Sequence, residues 1–276
     1  IESHGSYENY KAAKLKIGEM LVRSPKRPRI VVANAEDELG KKFLAFPVER
    51  RVPFSLADAK PYTLSEDSVS LTVLGATFDV PFPGGFTILN ALAAAKLAHT
   101  LGVKVHVIAH ALGSLEKIPG RVEKIDRGQD FVVVIDYAHT PESLKALYGA
   151  FPTRRKVCVL GNTGGGRDTW KRPRMGAIAD QACDVVILTN EDPYDEDPRA
   201  IVDAMAGGMK RKPLVIMDRR EAIHEAFAKA RSGDAVLITG KGTDPYIMEA
   251  GGKKTEWSDA QIAAEELEKI GYSTSD

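Results

Sequence analysis

The chain has 276 residues, a length that suits one or two domains. Lys plus Arg equals Asp plus Glu at 38 each, so no global field selects nucleic acid or an anionic membrane. Hydrophobic residues make up 43% and charged residues 28%, as in an ordinary globular chain, and no apolar run approaches the ~20 residues of a membrane span. No signal peptide is visible, and the first residue is Ile rather than Met, which points to a processed, truncated or excerpted product. Cys158 and Cys183 both sit in apolar or helical settings. They are expected to be core thiols of a reducing cytoplasm, neither a disulfide nor a metal pair.

Residues 1–22 open with a His-Gly turn and continue as a helix, with Ser6 as N-cap and Tyr10, Ala13, Ile17 and Leu21 as an apolar stripe. Lys14 lies beside that stripe, where a lysine ordinarily keeps its ammonium in water. Arg29–Ala35 reads as a strand. The stretch up to Thr63 is polar and broken by Pro47, Pro53 and Pro61. Ser68–Val80 alternates about Gly75, the pattern of a hairpin. Phe86–Leu101 is an Ala-rich helix with Asn90 near its start. Val105–Leu115 is a second helix, whose His106 and His110 are expected to be packing residues because no third metal ligand is evident.

Pro119-Gly120 marks a boundary. From Arg121 onward apolar runs alternate with helical patterns. The runs are Phe131–Ile135, Val157–Leu160, Val185–Leu188, Leu214–Met217 and Ala235–Ile238. Between them lie Pro141–Phe151, Trp170–Ala182, Pro198–Ala206 and Arg219–Ala230. Short strands alternating with amphipathic helices predict βαβ units and a mainly parallel sheet. Right-handed crossovers place every loop after a strand on one edge, where open α/β sheets bind ligands.

Those loops hold the unusual chemistry. The run VVVIDYAHTP carries Asp136 and His139 off a strand end into a Pro141-started helix. GNTGGGRDTWKR puts four glycines ahead of three cations and one acid, a composition that can cradle an anion. It is not a Walker A loop, since Arg167-Asp168 stands where Lys-Ser/Thr would be needed. Arg167 suits a carboxylate or phosphate fork. TNEDPYDEDP carries five carboxylates in ten residues and would attract an amine or a metal–nucleotide. Gly240-Lys241-Gly242 could present N–H groups or a lysine to an anion. Five such loops on one edge favour an enzyme over an interaction module.

Together these boxes resemble the Mur ligase family, in particular its UDP-N-acetylmuramoyl-tripeptide synthetases. HGSYENYKAAK, GGFTILNALAAA, GRVE, DYAHTP, GGGRDTWKRPRMGAIA, the Asp192-Pro193 box and TGKGTDPY stand in that family's order and spacing. The resemblance implies an α/β chain. Residues 1–118 would be the later part of the central ATP-binding domain, and residues 119–276 the Rossmann-like C-terminal domain with a mainly parallel sheet. It implies ATP-dependent joining of an amino acid to a UDP-N-acetylmuramoyl-dipeptide through an acyl phosphate, with ATP and Mg2+ as cofactors. The enzyme would be cytoplasmic, a monomer when full length, with no nucleic-acid or membrane partner. The chemistry fits these residue types. A carboxylate must approach the γ-phosphate of ATP, and cations offset that repulsion.

Residue by residue, the resemblance makes Lys14 a carbamylated catalytic lysine that helps hold magnesium. It makes Asn90 an adenine contact, Arg121 and Asp136 nucleotide-binding residues, and His139 their catalytic neighbour. Arg167 would grip the carboxylate of the incoming amino acid, with Gly240 and Asp244 beside it. Two departures stand out. Members that use meso-diaminopimelate carry Asp-Asn-Pro-Arg, whose arginine holds the distal carboxylate. Here Glu191, Asp192, Pro193 and Tyr194 occupy those places. Losing a charge-assisted pair costs about 1.5–3 kcal/mol, roughly one to two decades of affinity. L-lysine is therefore the expected acceptor, its ε-ammonium meeting Glu191 and Asp192. The second departure is the absence from these 276 residues of the P-loop, the UDP-substrate domain and the histidine box that helps bind magnesium. Alone, the chain is expected to be inactive and to expose strand edges. Other readings are a Mur-type ligase for folate, cyanophycin or a lipid-linked precursor, and a non-catalytic binding remnant. A plain dinucleotide oxidoreductase fails for want of a G-x-G-x-x-G turn.

Overall fold

The structure is a computed structural model that describes residues 4–166 and 168–273. It divides into two compact units, Ile1–Glu116 and Lys117–Asp276.

In the first unit, α1 (Tyr7–Arg23) starts at Ser6, whose hydroxyl accepts the Asn9 N–H at 3.1 Å. A side-chain oxygen there satisfies a helix donor that has no partner of its own. The apolar stripe does not define the buried face, since Ile17 is 66% exposed and Gly18 is the buried residue, closed over by the Phe46 ring. Close approach at a glycine has replaced the stripe. The stretch that read as irregular holds a βαβ unit. β1 (Ile30–Asn34) pairs in parallel with β2 (Arg50–Phe54), and α2 (Glu38–Leu44) connects them from an Asp37 cap. Arg50, Arg51 and Pro53 of β2 are exposed, so this strand shows no buried periodicity in sequence.

β3 (Tyr62–Leu64), β4 (Val69–Val73) and β5 (Ala76–Val80) form an antiparallel sheet in that order. The β4–β5 turn is the expected hairpin. Leu74 and Gly75 both have positive φ, which matches the twist of the flanking strands. Val69, Leu71 and Val73 face inward at every second position. They meet Ile88, Leu92 and Ala95 on α3 (Gly85–Thr100) and Ile108 on α4 (Val105–Gly113). His106 and His110 are exposed on α4 rather than packed, because Ile108 supplies that helix's buried contact.

The second unit is built on one six-stranded sheet. Its strands are β6 (Glu123–Ile125), β7 (Val132–Asp136), β8 (Lys156–Leu160), β9 (Val185–Leu188), β10 (Leu214–Val215) and β11 (Ala235–Thr239). Their order is β10-β9-β8-β11-β7-β6, and all pairs are parallel except β6–β7. Each predicted strand of this half is present. β6 was not foreseen, since its three residues alternate one buried, one exposed and one half-buried position. β8 and β11 are buried throughout, as a sheet covered on both faces requires.

Helices α5 (Pro141–Gly149), α6 (Lys171–Ala182), α7 (Pro198–Ala206) and α8 (Arg219–Lys229) cross between the strands, and α9 (Asp259–Lys269) closes the unit. β12 (Tyr246–Met248) and β13 (Lys254–Glu256) form a small antiparallel ribbon. One face of the sheet buries Val133, Ile135, Val157, Val159, Val236 and Ile238 against α8 and α9. Each such side chain contributes about 1.5–3 kcal/mol when fully buried.

The cysteines correct an expectation. Cys158 on β8 and Cys183, which caps α6, form a disulfide with Cα atoms 6.2 Å apart. The β8–α6–β9 crossover returns the chain beside the strand it left, which brings together thiols 25 residues apart. Sequence setting alone hid that return. Among the described residues no helix is long and apolar enough to cross a membrane.

Candidate functional site at the carboxyl ends of the sheet

β7 ends in Asp136, whose side chain is almost fully buried. Its two oxygens accept the N–H groups of Val122 and Ala138, each at 2.8 Å. Burial pushes the Asp136 carboxyl above its ordinary value, against the pull of those amides and of Arg121 and His139. The Asp136 bond to Val122 ties the 118–122 turn to the strand end. There Gly120, at φ +62°, lies so close to Gly242 that a Cβ would sit 2.7 Å from that backbone. Arg121 is exposed, with its guanidinium 4.9 Å from the centre of the Tyr137 ring. Tyr137 meets His139 edge-on at 4.7 Å. His139 Nδ1 is 2.8 Å from the Tyr137 carbonyl, so that nitrogen carries a proton and donates it there.

The acidic loop leaves β9. Glu191 is 2% exposed and Asp192 6% exposed. Thr163 of the Gly-rich loop donates to Glu191 Oε1 at 2.8 Å. Among the described residues no donor reaches Glu191 Oε2, although it is buried. Burial is the main cause that raises the Glu191 carboxyl, and Asp192 adds to it, while Arg219 and Lys241 oppose. Gly240, at φ +108°, is required here, because a Cβ would lie 2.1 Å from Glu191 Oε2. Asp192 is expected to meet an amine of a ligand. In the structure it meets an amine of the chain, with Lys241 Nζ 2.8 Å from both its oxygens. The Met248 N–H also donates to Asp192 Oδ1, so this carboxylate is not open.

Tyr194 is half-buried with φ 52°, and its ring lies against Gly165 of the Gly-rich loop. That loop is tied down by Gly164 N–H to the Asp192 carbonyl at 2.7 Å and by Gly166 N–H to Glu196. Arg172, itself buried, pairs with Glu196 at 2.9 Å and holds that carboxyl below its usual range. Arg167 lies outside the described residues. Asp244 lies 3.9 Å from Lys241 Nζ, and its negative charge adds to the burial that raises the Tyr137 phenol. The loops after β7, β8, β9 and β11 and the start of α8 thus meet at one edge, as the strand–helix alternation predicts.

Lys14 and Asn90 belong to the first unit. Lys14 is exposed on α1, 5.3 Å from the Tyr10 ring centre, so its amine is open to modification. Asn90 is exposed in the second turn of α3. Among the described residues no three of His, Cys, Asp and Glu converge as a metal-binding group.

Sequence reasoning missed Arg219, Thr163 and Asp259. Arg219 is the first residue of α8, where the helix dipole disfavours a cation. An arginine there signals an acid elsewhere, and that acid is Asp259 at 2.6 Å.

Comparison with known proteins identifies the family. The Mur ligase middle domain matches residues 1–98, and the Mur ligase glutamate ligase domain matches residues 120–242. The chain belongs to the Mur ligase family. It is 35% identical over 286 residues to the UDP-N-acetylmuramoyl-L-alanyl-D-glutamate–2,6-diaminopimelate ligase of Syntrophomonas wolfei, covering 97% of this chain and 57% of that protein. It is 36% identical to the UDP-N-acetylmuramyl-tripeptide synthetase of Roseiflexus, covering 99% and 58%. A solved UDP-N-acetylmuramoyl-L-alanyl-D-glutamate–2,6-diaminopimelate ligase aligns with a TM-score of 0.58 at 26% identity, over 98% of this chain and 58% of that one. MurF of Acinetobacter baumannii shares the fold, with a TM-score of 0.68 at 19% identity over 86% and 53%. The chain thus spans a little over half the length of the curated relatives it matches.

Proposed function

We propose that this chain supplies the acceptor-binding and part of the nucleotide-binding machinery of an ATP-dependent amide-bond ligase in peptidoglycan precursor synthesis. The ligase adds an amino acid to a UDP-N-acetylmuramoyl-dipeptide through an acyl phosphate. Residues 1–118 are the later part of the central ATP-binding domain, and 119–276 the C-terminal domain. The enzyme works in the cytoplasm as a monomer. When bound, ATP supplies the phosphoryl group and Mg2+ offsets its charge. The residues fit an anionic nucleotide, since Arg121 is exposed beside an Asp136 already held by two amides. In the second unit Arg121 and Asp136 bind the nucleotide, with His139 beside them; Asn90, in the first unit, is an adenine contact. Lys14, once carbamylated, becomes an anion that can help hold the metal.

The observation that carries the acceptor assignment is the meeting of the Gly-rich, acidic and Gly-Lys-Gly loops around Glu191. Arg167 takes the amino acid's carboxylate, with Gly240 and Asp244 alongside. Glu191 is the carboxylate whose buried Oε2 has no donor among the described residues, while Asp192 acts through Lys241. Tyr194 carries no charge for a second carboxylate. L-lysine is accordingly the preferred acceptor over meso-diaminopimelate, although the relatives cited above include ligases named for 2,6-diaminopimelate.

The test is a competition assay with the complete enzyme. L-lysine outcompetes meso-diaminopimelate by roughly one to two decades, and Tyr194→Arg narrows that gap. A preference for meso-diaminopimelate in the unsubstituted enzyme overturns the assignment. The 276-residue chain contains no Gly-Lys-Ser/Thr phosphate loop. Given substrate and amino acid it releases no ADP, and robust release would refute this reading.

A further inference from the structure

Arg219 is 2% exposed, and its guanidinium is shared among three partners, Asp259 and the carbonyls of Thr239 and Asn190. Nε and Nη2 grip Asp259 of α9 at 2.8 and 2.6 Å. Nη2 also donates to the Thr239 carbonyl at the end of β11, at 2.8 Å. Nη1 reaches the Asn190 carbonyl after β9, at 3.3 Å. Asp259 is held in turn by the Trp257 indole N–H at 2.8 Å. Asn190 immediately precedes Glu191 and Asp192, and Thr239 immediately precedes Gly240 and Lys241.

We propose that Arg219 is a positioning residue that fixes the acidic loop and the Gly-Lys-Gly loop in one register by holding the carbonyls of Asn190 and Thr239. Two loops on different strands must present Glu191 and Gly240 within van der Waals contact, and main-chain carbonyls set the loop paths directly. A planar fork anchored by a buried carboxylate can reach both carbonyls at once. A lysine ammonium keeps the charge but is a single point and cannot span them. Among the described residues the ion pairs of the neighbouring Arg220 are to Glu265 and Glu266 on α9, with none to either loop. It is therefore a control on the same helix.

The inference rests on the acceptor assignment above for its functional meaning, though not for its geometry. Hydrogen–deuterium exchange on the 276-residue chain separates the two. In Arg219→Lys, peptides covering 189–194 and 239–244 exchange about tenfold faster or more. Those covering 157–160 and 235–238 stay as in the unsubstituted chain, and Arg220→Gln leaves the loops unchanged. Unchanged loop exchange in Arg219→Lys, or acceleration spread evenly over the sheet, overturns the proposal. Should Arg219→Lys fail to fold, Trp257→Phe, which removes the indole bond to Asp259 and part of the ring's packing, is read by the same two patterns. L-lysine added to the unsubstituted chain slows exchange in both loops, and the concentration for half-protection rises about tenfold in Arg219→Lys. Absence of protection in the unsubstituted chain counts against the acceptor assignment, while the exchange pattern still decides the role of Arg219.

Discussion

Among the described residues around Glu191, the buried charges do not balance. Arg219 and Lys241 are cations, while Asp259, Asp192 and Glu191 are acids. Among the described residues the third acid has no cation of its own, and burial raises its pKa. A carboxyl whose pKa is raised on folding keeps its proton where the unfolded chain has lost it. Its effect on stability is absent below the unfolded glutamate pKa, and stability then falls as pH rises until Glu191 itself ionises. Glu191→Gln therefore raises the urea midpoint at about pH 8 and leaves it unchanged at about pH 4. An equal effect at both pH values would contradict the assignment. Sequence identified this glutamate as unusual by its company in TNEDPYDEDP. It could not separate Glu191 from Asp192, because the lysine that closes Asp192 stands 49 residues further on. Nor did it show that Arg219 holds Asn190 and Thr239, since a doubled arginine after a strand looks like surface charge.

Among the elements, legibility followed burial. β7, β8, β9 and β11 are apolar runs because both faces of the sheet are covered, and each was readable. β2, β6 and β13 are short or exposed, so no apolar run marks them. Helix starts were readable where a cap residue stood ahead of them. Thr140 caps α5 in a reciprocal arrangement with Ser143. Thr140→Ala costs about 1 kcal/mol, measured as a lower urea midpoint, and it also loosens the turn that carries His139. The disulfide belongs to this scale too, because it ties the end of α6 to β8. In the chain-entropy account, closing a 25-residue segment contributes about 3 kcal/mol. Reduction or Cys158→Ala with Cys183→Ala lowers the midpoint accordingly, and a midpoint insensitive to reductant would show that the thiols are not joined in solution.

For the molecule as a whole, the strand–helix alternation after Pro119 foretold the parallel sheet and the edge on which its loops meet. The first unit was less legible, because its βαβ unit is short and much of β2 is exposed. Lys117–Asp276 has its own core on both sides of its sheet. Expressed alone, residues 117–276 unfold in one cooperative urea transition, and a non-cooperative profile would show that this core is insufficient. The bond between Cys158 and Cys183 also makes a closed ring of everything from β8 through the Gly-rich loop to the end of α6. A protease cut anywhere within 159–182 opens that ring without dividing the molecule. The nicked protein migrates as one band until reductant is added and as two afterwards. The loop placed at the acceptor site can thus be severed while its two ends remain on a single covalent body.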